Sequence, residues 1–430
     1  MAFVKSAFLF LNKVYNNKKL LLVFIFLISL FASAIFLFFL GNLGPAEHAI
    51  PGNDYLSFYE PVANNILQGK GVLLEGESGF RYPPGYPIIL VPIFGLAQLL
   101  GIGKLGLIVI FNIIVTAGAT CLLFLIAEMI LSRRIALIAS FLWLSYPLNL
   151  WFLKNPNTEL PFIFLFYTGV WLFLSALKKK NFGLIFLSGA ILGLNSLIRP
   201  IGLLLPFLLA LLIFFFLKES PKKLCFLLAL TLLAGSFLAI LPWEVYAFSA
   251  IGQVIPLSNS GPTAIVDGFT FAVRSGAGGD QARVSEDVLS LMVRTKSGDL
   301  DTGSKIFDFI AEELVNRPIP FLKLVGWKLT RSWYATSQMW WEGKMLMLQL
   351  IYLIPGLFGI IYGFKKYKDK AYSILFILGI IIYFWLMTFA ALSIARYMIP
   401  AMGLMMIFSS IAVSLLIDKL SKRVWKKMSR

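Results

Sequence analysis

Histidine and cysteine are almost missing from this chain, with one His and two Cys in 430 residues. Cys121 and Cys225 both fall inside apolar runs. Two thiols make no disulfide framework, and their spacing fits no metal site, so they read as small core residues. His48 alone makes no zinc site. No Walker loop is present, which removes direct ATP drive. No internal repeat survives inspection, so an inverted-repeat transporter gains no support. Charge is also scarce: 14% of residues carry it, where soluble chains carry about a quarter.

Apolar surface fills the gap. The chain is 59% hydrophobic and 15% aromatic, with a mean hydropathy of +0.84. Several runs reach the roughly 20 residues that cross a bilayer. The fold class is therefore an all-α polytopic membrane protein. Ten spans are predicted, near 20–40, 105–130, 135–151, 159–177, 182–198, 201–217, 224–242, 346–364, 371–391 and 397–417. Ala32-Ser33-Ala34 resembles a cleavage site, but the apolar run continues beyond it, which favours an uncleaved first span.

The net charge of +17 reports topology rather than a nucleic-acid partner. With the N-terminus inside and the run 86–100 not crossing, about 22 basic and 4 acidic residues lie inside. About 16 basic and 17 acidic residues then lie outside. Nearly all excess positive charge is cytoplasmic, as membrane insertion asks. Were 86–100 to cross, every later basic loop would face outward. The run is short, about 22 Å as a helix, and carries Pro87, Pro92 and Gly95. It is expected at the outer face. The chain then divides into a transmembrane module 1–242 with an outer loop 41–104, an outer segment 243–345, and a C-terminal membrane part 346–430 with a basic tail. Amphipathic helices are predicted near 304–316 and 321–334. Both termini are expected in the cytoplasm, and chemistry on the outer face.

Polar residues at the outer membrane edge are the candidates for chemistry. Asp54 follows Gly-Asn soon after the first span, where it also suits a helix cap. Glu60 lies nearly two turns on, although Pro61 fits a helix only near its start. Arg81 opens Arg-Tyr-Pro-Pro, a permanent cation on a stiff backbone and suited to phosphate. Glu159 stands where the fourth span begins, a position the helix dipole favours for an acid; Lys154, on the same turn, is a possible partner. Arg199, before Pro200, and Arg396-Tyr397, before the last span, fall at the same depth. Cations between apolar spans are costly and mark function. Asp299-Leu300-Asp301 matches the Asp-x-Asp of soluble sugar transferases only weakly. Glu128 has Arg133 and Arg134 as ready partners. Gly189 and Gly193 mark a helix-packing face.

The order of these features resembles a known family. An acid soon after the first span is followed by Tyr59, Ala63 and the Leu67-Gln68-Gly69-Lys70-Gly71 turn, then by RYPPGYP from Arg81. Later come NPNTELPF, GAILGLNSLIRPIGLLLP and ILPWEVYAFSAIGQVIPLSNSG. Together they look like the membrane glycosyltransferases of GT-C fold, in the group of protein O-mannosyltransferases and lipid A aminoarabinose transferases, over about the first 260 residues. Phe58 occupies the place where many members carry their aromatic residue four positions after the aspartate, whereas Tyr59 fits the spacing to the alanine.

The resemblance implies a GT-C fold with outer juxtamembrane helices and an outward-facing site in the bacterial plasma membrane. It implies a polyprenyl-phosphate-linked sugar donor and an acceptor protein, lipid or glycan. Asp54 would be the catalytic carboxylate and Glu159 a second acid in the pocket. Arg81 would contact the donor phosphate and Arg199 would be a cation near it; beside what the resemblance implies, Tyr82, Tyr59, Glu60, Lys154, Arg396 and Tyr397 at the outer edge are the further candidates for binding substrate. No cofactor is implied, and the inventory leaves room for a divalent metal. The competing readings are a flippase or transporter of lipid-linked glycans, and an oligosaccharide ligase or polymerase. The first predicts charges deep within spans, where few are found. The second does not ask for an acid after the first span.

Overall fold

The structure is a computed structural model that describes residues 12–42, 54–72, 74, 80–273, 284–337 and 339–428. His48 and the Gly-rich stretch 275–280 lie outside the described residues. All regular structure among the described residues is helical. Long helices form α1 (Lys18–Asn42), α4 (Lys104–Ile130), α7 (Glu159–Lys179), α10 (Lys222–Ile251), α15 (Glu342–Lys366), α16 (Ala371–Ala390) and α17 (Ile399–Met428). Seven helices among the described residues are long and apolar enough to cross a membrane, or eight if a bent pair counts as one span. The chain is an integral membrane protein.

Four predicted spans differ from the helices found. The run 135–151 is α5 (Arg133–Leu144) followed by α6 (Pro147–Trp151), and its two halves meet at a 51° bend. Pro147 starts the second half, because proline cannot continue a helix but suits its first turn. The runs 182–198 and 201–217 give the shorter α8 (Phe182–Ser196) and α9 (Leu205–Phe216). Between them Pro200 forces the residue before it out of helical conformation; Arg199 is extended, at φ −144° and ψ 121°. The run 224–242 overshoots its expected end: α10 passes through Pro242 and stops at Ile251.

The expected surface run 86–100 is α3 (Gly85–Leu100), sixteen residues long. Its buried face carries Tyr86, Leu90, Phe94 and Ala97, while Ile88, Leu96 and Leu99 are exposed. It packs on α2 (Glu60–Leu67) and on α4.

Gly189 and Gly193 do form a packing face, against α10. A Cβ on Gly189 would fall on the backbone carbonyl of Leu232, and one on Gly193 would reach 2.5 Å from that of Ser236. Neither backbone can withdraw without parting the helices. Gly189→Leu is therefore expected to destabilise the fold by at least about 2 kcal/mol, read as a lowered midpoint of thermal unfolding in detergent.

Charges gather at one end of the bundle. Glu128 pairs with Arg133 and with Lys18, each at 2.7 Å. Arg134 reaches Asp418 at 2.7 Å, and Lys370 donates to the carbonyl of Leu131. Ends of α1, α4, α5, α16 and α17 thus meet there. Cys225 is buried and Cys121 partly so, both as free thiols.

At the opposite end lie α11 (Gly261–Phe269), α12 (Glu286–Ser297), α13 (Gly303–Asn316) and α14 (Pro318–Arg331), the last two close to the predicted amphipathic helices. They share a small core of Phe269, Val288, Leu291, Met292, Phe321 and Leu324. Asp299 and Asp301 are exposed, and both bind Lys305 at 2.8 Å. α14 buries Lys328, whose Nζ donates to the Ala391 carbonyl at the end of α16 at 3.0 Å and lies 4.0 Å from the Phe269 ring. Burial pushes this amine from 10.5 down to about 7. Below pH 7 both folded and unfolded chains are protonated there. Between about 7 and 10.5 the unfolded chain binds the extra proton, so stability is expected to rise with pH across that window, by up to about 5 kcal/mol. Thermal unfolding of Lys328→Met at pH 6.5 and 9 should lack that rise.

Candidate active site at the other end of the bundle

The chain enters the site through a π turn, Tyr55–Tyr59, directly before α2. Such turns are rare and frequently fall at functional sites. Pro61 falls in the first turn of α2, which resolves its apparent conflict with a helix. Asp54 is itself helical and makes no side-chain cap bond. Its carboxylate instead accepts a hydrogen bond from the Tyr82 hydroxyl at 3.0 Å. Burial, then the charge of Asp54, pushes the Tyr82 phenol up to about 12, so it remains a donor at physiological pH. Asp54 is half-buried and keeps solvent access.

Tyr82 stands on the Arg81–Pro84 corner. Pro83 and Pro84 are buried, while Arg81 is exposed, with its guanidinium 5.2 Å from the Tyr82 ring. Arg81 has no ion pair among the described residues. The corner is docked by the Gly85 N–H, which donates to the Leu197 carbonyl at 2.8 Å. Any Cβ at Gly85 would lie 2.5 Å from that oxygen. Glycine thus allows the corner to sit on the turn that ends α8 and leads to Arg199.

Glu159 opens α7 with only 2% exposure. Arg199 Nη1 lies 2.5 Å and Arg396 Nε 2.7 Å from the same oxygen, Oε1. Arg199 is 7% exposed, and its guanidinium stacks 4.5 Å from the Tyr397 ring. Arg396 is brought in by a 3-10 turn, Ala395–Met398, and keeps 39% of its side chain exposed. One carboxylate therefore holds two cations from segments far apart in sequence.

Tyr59 joins the two groups. Its ring lies 5.4 Å from Tyr82 and 5.1 Å from Tyr86. Burial raises its phenol, and the charges of Asp54, Arg199 and Glu159 all act on it. Asp54 also interacts electrostatically with Arg396. The structure thus brings Asp54, Tyr59, Arg81, Tyr82, Glu159, Arg199, Arg396 and Tyr397 together. Three arginines against two carboxylates leave one net positive charge.

Two of the residues singled out in the sequence stand apart from these contacts. Glu60 pairs with Lys104 at 3.2 Å, and Lys104 also donates to Asn64 at 3.0 Å; the three tie α2 to α4. Lys154 does not pair with Glu159 but lies 3.8 Å from the Trp151 ring. Lys104 escaped the sequence reading, although a lysine standing directly before a long apolar run is the same signal that marked Arg81. Among the described residues no three His, Cys, Asp or Glu side chains gather in a metal-binding group. With Glu159 already held by two guanidiniums, the described residues of the site do not fit a divalent ion.

The arrangement of helices matches a known architecture. AglB, the oligosaccharyltransferase of Archaeoglobus fulgidus solved with an inhibitory peptide and a dolichol-phosphate, superposes with a TM-score of 0.61 over 96% of this chain. That match covers 52% of AglB at 15% identity. The fold is GT-C. The same organism's enzyme tethered to an acceptor peptide with an NVT sequon gives a TM-score of 0.60, at 16% identity over 93% of this chain and 50% of that one. This GT-C chain thus spans about half the length of the archaeal structures it matches. Residues 85–244 match the family model for dolichyl-phosphate-mannose-protein mannosyltransferase. That stretch includes Glu159 and Arg199 but neither Asp54, Arg81 nor Arg396. No curated protein matches the chain in sequence.

Proposed function

We propose that this GT-C protein is an inverting glycosyltransferase that moves a sugar from a polyprenyl-phosphate donor to an acceptor hydroxyl on the outer side of the membrane. The observation that carries this reading is the meeting of one half-exposed carboxylate, Asp54, with Arg81, Arg199 and Arg396. A sugar phosphodiester carries one negative charge, which matches the single positive charge left over in the site. Its phosphate leaves as a stable anion and needs fixed positive charge where charge develops. Arg81 and the exposed part of Arg396 supply it. The acceptor hydroxyl needs a base. Asp54 takes that proton while Tyr82 holds the other side of the carboxylate group in place. Attack opposite the phosphate inverts the anomeric centre through an oxocarbenium-like state.

Glu159 has a different part. Sealed between two guanidiniums, it keeps Arg199 and Arg396 in place and is not free to accept a proton. Charge supports the outer side: the basic cluster of Lys18, Arg133 and Arg134 lies away from the site, at the other ends of α4 and α7, and basic loops stay in the cytoplasm. The match to a dolichyl-phosphate-mannose family over 85–244 supports the same donor class, as does the dolichol-phosphate bound by AglB. The acceptor is a hydroxyl on protein, lipid or glycan.

Native mass spectrometry of the purified protein with undecaprenyl phosphate tests the phosphate contact. Wild type is expected to retain the lipid, and Arg81→Ala to weaken it at least tenfold. Free undecaprenol should show no preference for wild type over the variant. Equal retention of the phosphate by both proteins would remove Arg81 from the site.

A further inference from the structure

We propose that Glu244 is a positioning residue, whose carboxylate sets where Arg81 and Tyr82 stand by way of Leu257 and Asn259. An acid inside ILPWEVYAF is costly at a membrane edge and calls for a reason. Glu244 Oε1 accepts the N–H of Leu257 at 2.9 Å, and the adjacent Trp243 donates its indole N–H to the Leu257 carbonyl, also at 2.9 Å. Two neighbouring side chains of α10 thus hold both backbone groups of one residue. Leu257 has φ 64°, a left-handed conformation rare for leucine. Strain of this kind persists only where the surroundings over-determine it, and it clusters at functional sites.

The clamp reaches the site in two steps. Leu257 is 1% exposed and packs with Phe80, Leu197 and Trp243. Two residues later the Asn259 N–H donates to the Phe80 carbonyl at 2.9 Å. Phe80 directly precedes Arg81, and its ring lies 5.4 Å from Trp243. The other end of the corner is fixed by Gly85 on Leu197, a member of the same cluster. Only Arg81 to Pro84 lie between the two ties, and two of those four residues are prolines. Loss of the Glu244 acceptor frees Leu257 to leave its left-handed well, which loosens Asn259 and then the Phe80 end of the corner. Tyr82 and Arg81 move with it, away from Asp54.

The inference rests on the donor reading only for the role of Arg81; the clamp itself is tested without it. Hydrogen exchange in detergent should show the Asn259 amide exchanging at least tenfold faster in Glu244→Leu, with the amides of α17 unchanged. Glu244→Gln retains an acceptor oxygen and should return exchange to within twofold of wild type. Retention of undecaprenyl phosphate should fall about tenfold in Glu244→Leu and recover in Glu244→Gln. Asn259→Pro, at an exposed position, removes the donor to Phe80 while also stiffening the chain at Ser258, and should weaken lipid retention alike; it serves if Glu244→Leu does not fold. Unchanged Asn259 exchange in Glu244→Leu overturns the clamp. Faster exchange with undiminished lipid retention overturns its link to Arg81. A wild type that shows the exchange pattern but retains no undecaprenyl phosphate counts against the donor reading and leaves the clamp standing.

Discussion

Asp54→Asn is expected to retain undecaprenyl phosphate like wild type and to slow sugar transfer by about 100-fold or more. Asparagine has nearly the shape of aspartate, and its carbonyl can still accept from Tyr82, so the local structure should hold. What it lacks is proton affinity, and loss of a general base costs about 10²- to 10⁴-fold. The measurement is donor turnover at saturating lipid, with retention of the lipid as the control. A folded Asp54→Asn protein with full turnover would show that the acceptor proton leaves by another route. Tyr82→Phe should have a smaller effect, because it removes one hydrogen bond and leaves the carboxylate.

Glu159→Leu should be the most destabilising single change at the site. It leaves Arg199, 7% exposed, without its counter-ion, and sets two guanidiniums beside each other with nothing between. Removing one partner of a buried pair costs about 3–5 kcal/mol. The reverse change is milder: Arg396→Ala leaves the Glu159–Arg199 pair intact at 2.5 Å, and Arg396 is already part-exposed. Chemical denaturation in detergent distinguishes the two. Adding Arg199→Leu to Glu159→Leu should recover part of the loss, since it removes the stranded charge. A Glu159→Leu protein as stable as wild type would mean that the arginines are held by other groups.

Most of the helices are visible in the sequence, because apolar runs and basic turns are local signals. Bends are less so. Pro147 and Pro200 both break runs, whereas Pro242 lies within α10 and does not. A proline's missing N–H is tolerated or not according to what packs around it. The site is half legible. Its residue types and their depth at the membrane edge follow from sequence, but their partners do not. Asp54 suits a helix cap, and Tyr82, 28 positions away, is its partner instead. Lys154 stands close before Glu159 in sequence, yet Arg396 binds Glu159 from 237 positions away. Nothing near Glu244 in the sequence predicts that it holds a backbone amide beyond the end of its helix. Lys328 could have been found: it lies four and seven residues after Leu324 and Phe321, on their buried face.

The shared oxygen of Glu159 also bears on how the protein is made. During synthesis α7 and α8 emerge first, and Glu159 and Arg199 can neutralise each other in the half-made chain. Arg396 arrives 237 positions after Glu159, just before α17 and after α11 to α14 have been made. Until then the pocket around Glu159 carries no net charge and offers a lipid phosphate little attraction. Arg396 brings the charge that completes it, so the proposed electrostatic capture of a lipid anion waits for the segment that opens α17.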